Sequence, residues 1–336
     1  MNTNHHCFFS VIIPCYNSIN FIDRGVKSLE RQLFTDFEVI FIDDCSSDNT
    51  YEFLCHLCTS TKLNIKVLRN ERNSGPGVSR NKGITNSNGE YVTFMDSDDW
   101  YEDDLLLSVH DKIIDDDSDL VFFDFYRSYN DNYKKVISST RPLKNDITKG
   151  AIIALCYDSL CTLCVKKYIF NYINLPPLYN AEDVVTVPIL VSYASKISIL
   201  NRPLYNYLYR LNSLSSSNNK KIAYSFLEAY SFLENNIAQS YKEAIEYKGV
   251  VVILYGCVFK SLQAGMSRRE IMAYIDQFMH SYPNCFSNQY LNVLPLRKKI
   301  FLLLVRRHCF NLLKVYIELQ VLALKFPLLF YKLKLK

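Results

Sequence analysis

The sequence predicts an α/β fold, a mainly parallel sheet flanked by helices with a helical C-terminal extension, on three observations. Over the first hundred residues short apolar runs alternate with helical patterns, the signature of βαβ units. The residues that directly follow the strands are unusually polar, and beyond Tyr224 the pattern is almost wholly helical.

Phe8 to Cys15, Glu38 to Asp43, Ile65 to Arg69 and Tyr91 to Met95 read as buried strands. Between them Ile19 to Gln32, Asp48 to Leu57 and Pro76 to Thr85 read as helices. Ser47 or Asp48 would cap the second helix, and Pro76 would sit in the first turn of the third. From about residue 105 the pattern is mixed: a strand-like Leu120 to Tyr126, a helix-like Lys149 to Cys156, and a helix opened by Glu182-Asp183. The polar loop Asn212 to Lys221 is the best boundary candidate.

With 336 residues and 49% hydrophobic content, the chain has enough apolar mass for one large or two ordinary domains, which excludes disorder and collagen-like repetition. A formal charge of +4 is too small to argue for nucleic acid unless it is concentrated somewhere. The cysteine count of 11 is odd, and the N-terminal run lacks the features of a secretory signal, so a reduced, cytoplasmic setting is expected. The C-x-x-C pairs Cys55/Cys58 and Cys161/Cys164 are expected to be buried structural thiols rather than a metal or redox site. No run of 18 apolar residues occurs, so no conventional membrane-spanning helix is expected.

In such a sheet ligands bind at the carboxyl ends of the strands. Pro14-Cys15-Tyr16-Asn17, Asp43-Asp44-Cys45-Ser46-Ser47-Asp48 and Asp96-Ser97-Asp98-Asp99 should therefore meet at one edge. Carboxylates gathered this way repel one another unless a cation or hydrogen-bond donors compensate. Mg2+ or Mn2+ suits the acid cluster, because these ions take one or two carboxylates together with substrate phosphates. The loop Asn73 to Gly83 carries glycines that let backbone approach a phosphate or ribose. It is not a dinucleotide fingerprint: the run is Gly-x-Gly-x-x-Arg, and it follows the third strand instead of the first.

Taken together, Pro14-x-Tyr16-Asn17, Asp43-Asp44-x-Ser46-x-Asp48, Asn73-x-Gly75 through Asn81-x-Gly83 with Arg80, and Asp96-x-Asp98-Asp99 resemble the inverting family 2 glycosyltransferases. The resemblance covers about residues 8 to 105. It implies a GT-A fold, a nucleotide-diphospho-sugar donor, most simply a UDP-sugar, and a divalent metal, Mn2+ or Mg2+. It further implies that Pro14, Tyr16 and Asp44 border the nucleobase with Asp43 in support, and that Arg80 lies near the base and phosphates. Asp96 would face the ribose or sugar, and Asp98 would bind the metal. The Glu-Asp pair expected at a helix start matches Glu182-Asp183, with Asp183 as catalytic base and Glu182 at the acceptor. Arg210 would reach the diphosphate or fix a lid. Against these roles stands the simpler reading that two acids in a first helical turn complement the helix dipole. Cys161 to Lys166 departs from the family pattern where relatives often carry a Trp, and Glu102 stands where Pro is common.

On this reading residues 1–105 form the nucleotide-sugar half of the catalytic domain, 106–215 the acceptor and catalytic half, 216–294 a helical extension and 295–336 a basic amphipathic tail. From Pro295 to Lys336 the charge is +9, leaving −5 for the rest. On a single helix Lys299, Arg306, Arg307, Lys314, Lys325, Lys332 and Lys336 would form one stripe among aliphatic residues, with a kink or end at Pro327. Such a helix suits the headgroup region of an anionic membrane, or packing on its own domain or on a second subunit. Because family relatives often work on lipid-linked acceptors at the cytoplasmic leaflet, the resemblance implies peripheral association with the inner leaflet of the inner membrane and a lipid-linked saccharide acceptor, such as a polyprenyl-diphosphate one. Nucleic acid is not an expected partner. Two rivals remain for the function: a sugar nucleotidyltransferase, which would want a glycine-rich basic loop after the first strand, and a non-catalytic sugar-nucleotide-binding protein.

Overall fold

The computed structural model describes residues 7–130, 133–140, 143, 147–210 and 219–325. The first part of the chain alternates β1 (Cys7–Cys15), α1 (Ile22–Glu30), β2 (Phe37–Asp43), α2 (Thr50–Ser60), β3 (Ile65–Arg69), α3 (Pro76–Thr85) and β4 (Gly89–Phe94). Its strands pair in parallel, β1 with β2 and β4, and β2 with β3. Every residue of β2 is buried, because helices cover both faces of a parallel sheet. α3 lies so close on this sheet that a Cβ on Gly83 would stand 2.5 Å from Ile12 Cγ2, which is why glycine occupies that position.

The second part contributes β5 (Trp100–Tyr101), α4 (Leu105–Asp116), β6 (Leu120–Asn130), β7 (Tyr133–Ile137), α5 (Lys149–Leu155), β8 (Leu163–Lys166), α6 (Glu182–Tyr193) and β9 (Ile197–Leu208). All nine strands of the described residues share one sheet in the order β3-β2-β1-β4-β8-β6-β9-β5, with β7 paired to β6. β6 runs parallel to β9, whereas β8 is antiparallel to both β4 and β6. The expected division at residue 105 thus falls inside a continuous sheet. The strand order reverses between β1 and β4, so a crevice opens at their carboxyl ends, where Tyr16 and Asp96 follow.

The remaining helices are α7 (Lys220–Asn236), α8 (Lys242–Gly249), α9 (Val258–Gln263), α10 (Arg268–Ser281), α11 (Leu296–Arg306) and α12 (Phe310–Lys325). Residues 250–257 join α8 to α9 as a π-helical stretch with Val250, Val252, Ile253, Leu254 and Cys257 buried, so the most apolar run of the chain is a core helix. Among the described residues no helix is long and apolar enough to cross a membrane.

Two sequence expectations are corrected. Cys161 and Cys164 are buried as expected, but Cys55 and Cys58 on α2 are exposed, since their helix turns the Thr50, Leu54 and Leu57 side to the core instead. The tail is not one helix. His308 adopts a left-handed conformation (φ 53°) and Cys309 N–H donates to Leu304 O, which closes α11. α12 then returns along α11, with the Tyr316 hydroxyl donating to Arg297 O at 3.0 Å. The single basic stripe is therefore broken after Arg307. Ser213 and Ser215, most of the boundary loop, Pro327, Lys332, Lys334 and Lys336 lie outside the described residues.

Candidate active site

Three strand ends converge as the sequence implied. After β1, Tyr16 is half exposed, and the Asn17 side-chain oxygen accepts from Ser47 N–H at 2.9 Å, tying this loop to the one after β2. Ser18 and Ser97 hydroxyls meet at 2.7 Å, tying it to the acid cluster after β4.

The two acids after β2 do different things. Asp44 accepts from the Asn70 side-chain amide at 2.8 Å and from the backbone N–H groups of Ser74 and Gly75 at 2.9 and 2.7 Å. It thereby anchors the loop that opens α3, where Gly75 takes φ 87°, a conformation that favours glycine. Asp43 accepts from Arg69 at 3.1 Å and Ser46 N–H at 3.2 Å through one oxygen, while its other oxygen is buried without a partner. Expected at the nucleobase, Asp44 is thus largely committed to the loop, and Asp43 keeps the unused acceptor. Pro14 is half-buried at the end of β1, in register with Ile42 of β2.

The acids after β4 also diverge. Asp99 turns into the core and accepts from the Tyr205 hydroxyl at 2.5 Å and Leu208 N–H at 2.7 Å. Burial and the charges of Asp98 and Asp96 push its carboxyl well above the usual range. Asp98 is ion-paired with Arg210, whose guanidinium lies 4.4 Å from the centre of the Phe21 ring. Burial, then the Asp96 charge, raise Asp98, and Arg210 partly offsets them. Asp96 remains partly exposed and pairs with Arg80 at 2.8 Å.

Arg80 is the centre of the arrangement. Only 3% exposed, it donates to Asp96, to Glu182 at 2.6 Å and to Asp183 at 3.5 Å, although about 100 residues separate it from the last two. Burial opposes its charge, but Asp183, Asp96 and Glu182 outweigh burial and hold it protonated. The resemblance put Arg80 near base and phosphates; in the structure its buried guanidinium is shared among three carboxylates.

Glu182 and Asp183 occupy the first turn of α6, as expected. Asp183 also accepts from Leu160 N–H at 3.3 Å. Burial is the main cause that raises its carboxyl to about 7, with Arg80 pulling down and Glu182 and Asp96 pushing up. A carboxylate poised near neutrality within one guanidinium of the acid cluster is chemically suited to take a proton.

Asp96 and Asp98 are the carboxylates at this edge that could hold Mg2+ or Mn2+. Among the described residues no group of three or more His, Cys, Asp and Glu side chains is arranged as a complete metal site. A pair of carboxylates whose charge now rests on arginines fits an ion that draws its other ligands from water and a diphosphate. Sequence reasoning missed two contributors. Tyr205, whose hydroxyl braces both Asp99 and the Asp96 N–H, was visible only as one tyrosine of an alternating run. Leu160 acts through its backbone, for which residue type gives no signal.

Residues 10–170 match the family described as Glycosyl transferase family 2. The chain is 26% identical over 235 residues to the glycosyltransferase GlyA of Streptococcus pneumoniae, covering 66% of this chain and 33% of that one. It is 33% identical over 205 residues to the poly(ribitol-phosphate) beta-N-acetylglucosaminyltransferase TarS of Staphylococcus aureus, covering 59% of this chain and 35% of TarS. It thus spans about a third of the length of these two relatives. The crystal structure of S. aureus TarS 1-349 in complex with UDP superposes with a TM-score of 0.67 at 25% identity, covering 93% of this chain and 90% of that one.

Proposed function

The chain belongs to glycosyl transferase family 2 through residues 10–170 and has its GT-A fold, and from this we propose that it moves a sugar from a nucleotide-diphospho-sugar to a saccharide acceptor in bacterial surface-polysaccharide assembly. The observation that carries the reading is Arg80, which joins Asp96, beside the donor-side acid Asp98, to Asp183 across one buried guanidinium. The donor is a UDP-sugar, in line with the UDP complex of the related TarS. It lies in the crevice between the ends of β1 and β4.

Asp183 takes the proton of the acceptor hydroxyl. The freed oxygen bonds to the anomeric carbon as the bond to the diphosphate breaks on the opposite face. The bond's electron pair leaves with the nucleoside diphosphate, so the configuration inverts. Asp98, with Asp96, would hold Mg2+ or Mn2+, which would supply Lewis-acid assistance to the leaving diphosphate. Arg210, next to Asp98, is placed to meet the same charge. A nucleotidyltransferase is disfavoured by Pro14-Cys15-Tyr16-Asn17, which is not a glycine-rich basic loop, and a binding-only role by the poised Asp183.

Asp98→Ala is expected to abolish the Mn2+-dependent part of the UDP-induced rise in unfolding temperature, because a ligand that binds only the folded chain raises the midpoint. A Mn2+-dependent shift that survives in this variant would remove Asp98 from the metal site.

The same reading places the enzyme at the cytoplasmic face of the inner membrane, peripherally bound and acting on a lipid-linked acceptor. The helical hairpin supports this. Leu312, Val315, Leu319 and Leu322 form an exposed apolar row on α12 opposite its buried Phe310, Leu313 and Ile317. Leu296, Ile300 and Leu303 do the same on α11, and exposed Arg297, Lys299, Arg306, Arg307 and Lys314 lie among them. An apolar face rimmed with cations fits an anionic lipid surface. Co-sedimentation is expected with phosphatidylglycerol vesicles and not with phosphatidylcholine alone, and the double substitution Leu312→Glu, Leu319→Glu should lower it at least about tenfold. Self-association through these leucines without vesicle binding would overturn the membrane assignment.

A further inference from the structure

Lys248 on α8 is a buried cation in the helical extension, beyond the residues that match the family. It is 2% exposed, and its Nζ donates to Asp158 at 2.5 Å. Asp158 stands between α5 and β8, so this ion pair ties the extension to a loop of the sheet domain. Burial raises Asp158, and Lys248 and then Lys298 of α11 pull it back down. A buried ion pair is a weak source of stability, because apolar residues of similar size often serve as well or better. Its use is to be sought in what it holds.

What it holds is the loop that reaches the base. Tyr157 N–H donates to Ser139 O at 2.7 Å, and Asp158 comes next. Ser159 then opens a single 3-10 turn, Leu160–Thr162. The Ser159 hydroxyl accepts from Cys161 N–H at 3.3 Å, and its carbonyl accepts from Thr162 N–H at 3.2 Å and from the Thr162 hydroxyl at 3.0 Å. Leu160 is fully buried, and its N–H donates to one oxygen of Asp183 at 3.3 Å. The other oxygen of Asp183 meets Arg80 at 3.5 Å. The carboxylate gripped by Lys248 therefore lies two residues before the donor that orients the base, and the turn beginning there is closed by its own hydrogen bonds.

The charges around both ends are few. Asp183 faces Arg80 of α3, Glu182 of its own helix, Asp96 after β4 and the Cys161 thiol of the same turn. Around the Lys248–Asp158 pair stand Lys298, the Cys156 thiol and the Tyr247 hydroxyl. Of the contacts to Asp183, the one from Leu160 N–H is set by a segment that the helical extension grips.

We infer that Lys248 is a positioning residue: through Asp158 it fixes the turn whose Leu160 N–H orients Asp183 and stabilises its charged form. The consequence for transfer rests on the glycosyltransferase reading, whereas the link itself can be measured without any substrate.

The Asp183 carboxyl is titrated by NMR in protein labelled with 4-13C aspartate, its resonance assigned by its absence from Asp183→Asn. In wild type the midpoint should lie at about 7. In Lys248→Met it should rise by about one pH unit, in keeping with the worth of a hydrogen bond to a charged group. That variant leaves Asp158 buried and unpaired, so Lys248→Met is also combined with Asp158→Leu, which replaces the pair by apolar side chains and should restore the unfolding temperature. The raised midpoint should persist in this double variant, while Lys248→Arg, which keeps the charge, should stay close to wild type. Leu160→Pro deletes the donor itself at a position where helical turns accept proline, and adding Lys248→Met to it should move the midpoint no further. UDP release from UDP-glucose, UDP-galactose and their N-acetylamino forms is followed in parallel. It should slow about fivefold more at pH 7 than at pH 9 in the double variant, as the smaller deprotonated fraction dictates. A wild-type midpoint in the double variant would overturn the inference: Lys248 would then serve the fold alone, and any rise in Lys248→Met would come from the bare Asp158 charge. Absence of UDP release from all four donors by wild type would count against the glycosyltransferase reading, with the carboxyl titration still deciding the link.

Discussion

Asp183→Asn is expected to bind UDP as wild type does and to transfer sugar about 10²–10⁴-fold more slowly, the usual worth of a positioned general base. The substitution keeps the shape of the side chain and its acceptance of Leu160 N–H, so the fold and the donor crevice should persist. What it removes is the basic oxygen. The wild-type pH profile gives an independent check. Burial raises Asp183 to about 7, and the base works only when deprotonated. The rate should therefore fall about tenfold per pH unit below that value and level off above it. The sign for stability is the opposite. A carboxyl whose folded pKa is raised favours the folded state below its unfolded value near 3.8, and this contribution disappears as pH rises through about 7. Product formation from UDP-sugars across pH 5 to 9, beside calorimetric UDP affinity, measures both effects. Full transfer by the Asn variant would remove Asp183 as base.

The parts of this molecule that could be read from sequence are those in which one stretch of chain decides its own structure. Ile65–Arg69 and Pro76–Thr85 were expected at the bounds they have, since an apolar β-branched run and a Gly-Pro-Gly start are local signals. β8 was not foreseen: Leu163–Lys166 is four residues long and is a strand because β4 and β6 flank it. β9 contains Arg202-Pro203, and its pairing with β6 shifts register there, so no regular alternation announces it. In the site, the polar residues after β1 and the acids after β2 and β4 followed from strand order. Their partners did not, because Arg80–Glu182 and Asp98–Arg210 each span roughly a hundred residues and depend on the sheet closing first. The tail shows the converse. Its helical period runs on through Arg307, and the break is made by His308 in a left-handed turn where glycine would be the usual signal.

Loss of Arg80 should have the largest effect of all, on stability and on chemistry together. Arg80→Leu leaves the buried Glu182, Asp183 and the partly exposed Asp96 around a buried apolar side chain. Removing one partner of a buried charge pair costs about 3–5 kcal/mol, because the remaining charges are left uncompensated. At about 2–4 °C per kcal/mol for a large domain, the unfolding midpoint should drop by roughly 10 °C. The fold can relieve part of this by protonating the acids, which predicts that the variant is least destabilised at acidic pH. That route disables catalysis. Arg80 is the group that pulls Asp183 down against burial, so without it the base titrates higher and the pH profile moves to the alkaline side. Arg80→Lys separates the two roles: a lysine restores the charge but cannot fork to three carboxylates, so most of the stability should return and only part of the rate. If Arg80 served only the diphosphate of the donor, Arg80→Leu would lose UDP affinity with its midpoint and pH profile unmoved. That result would dismantle the shared-guanidinium account of the site.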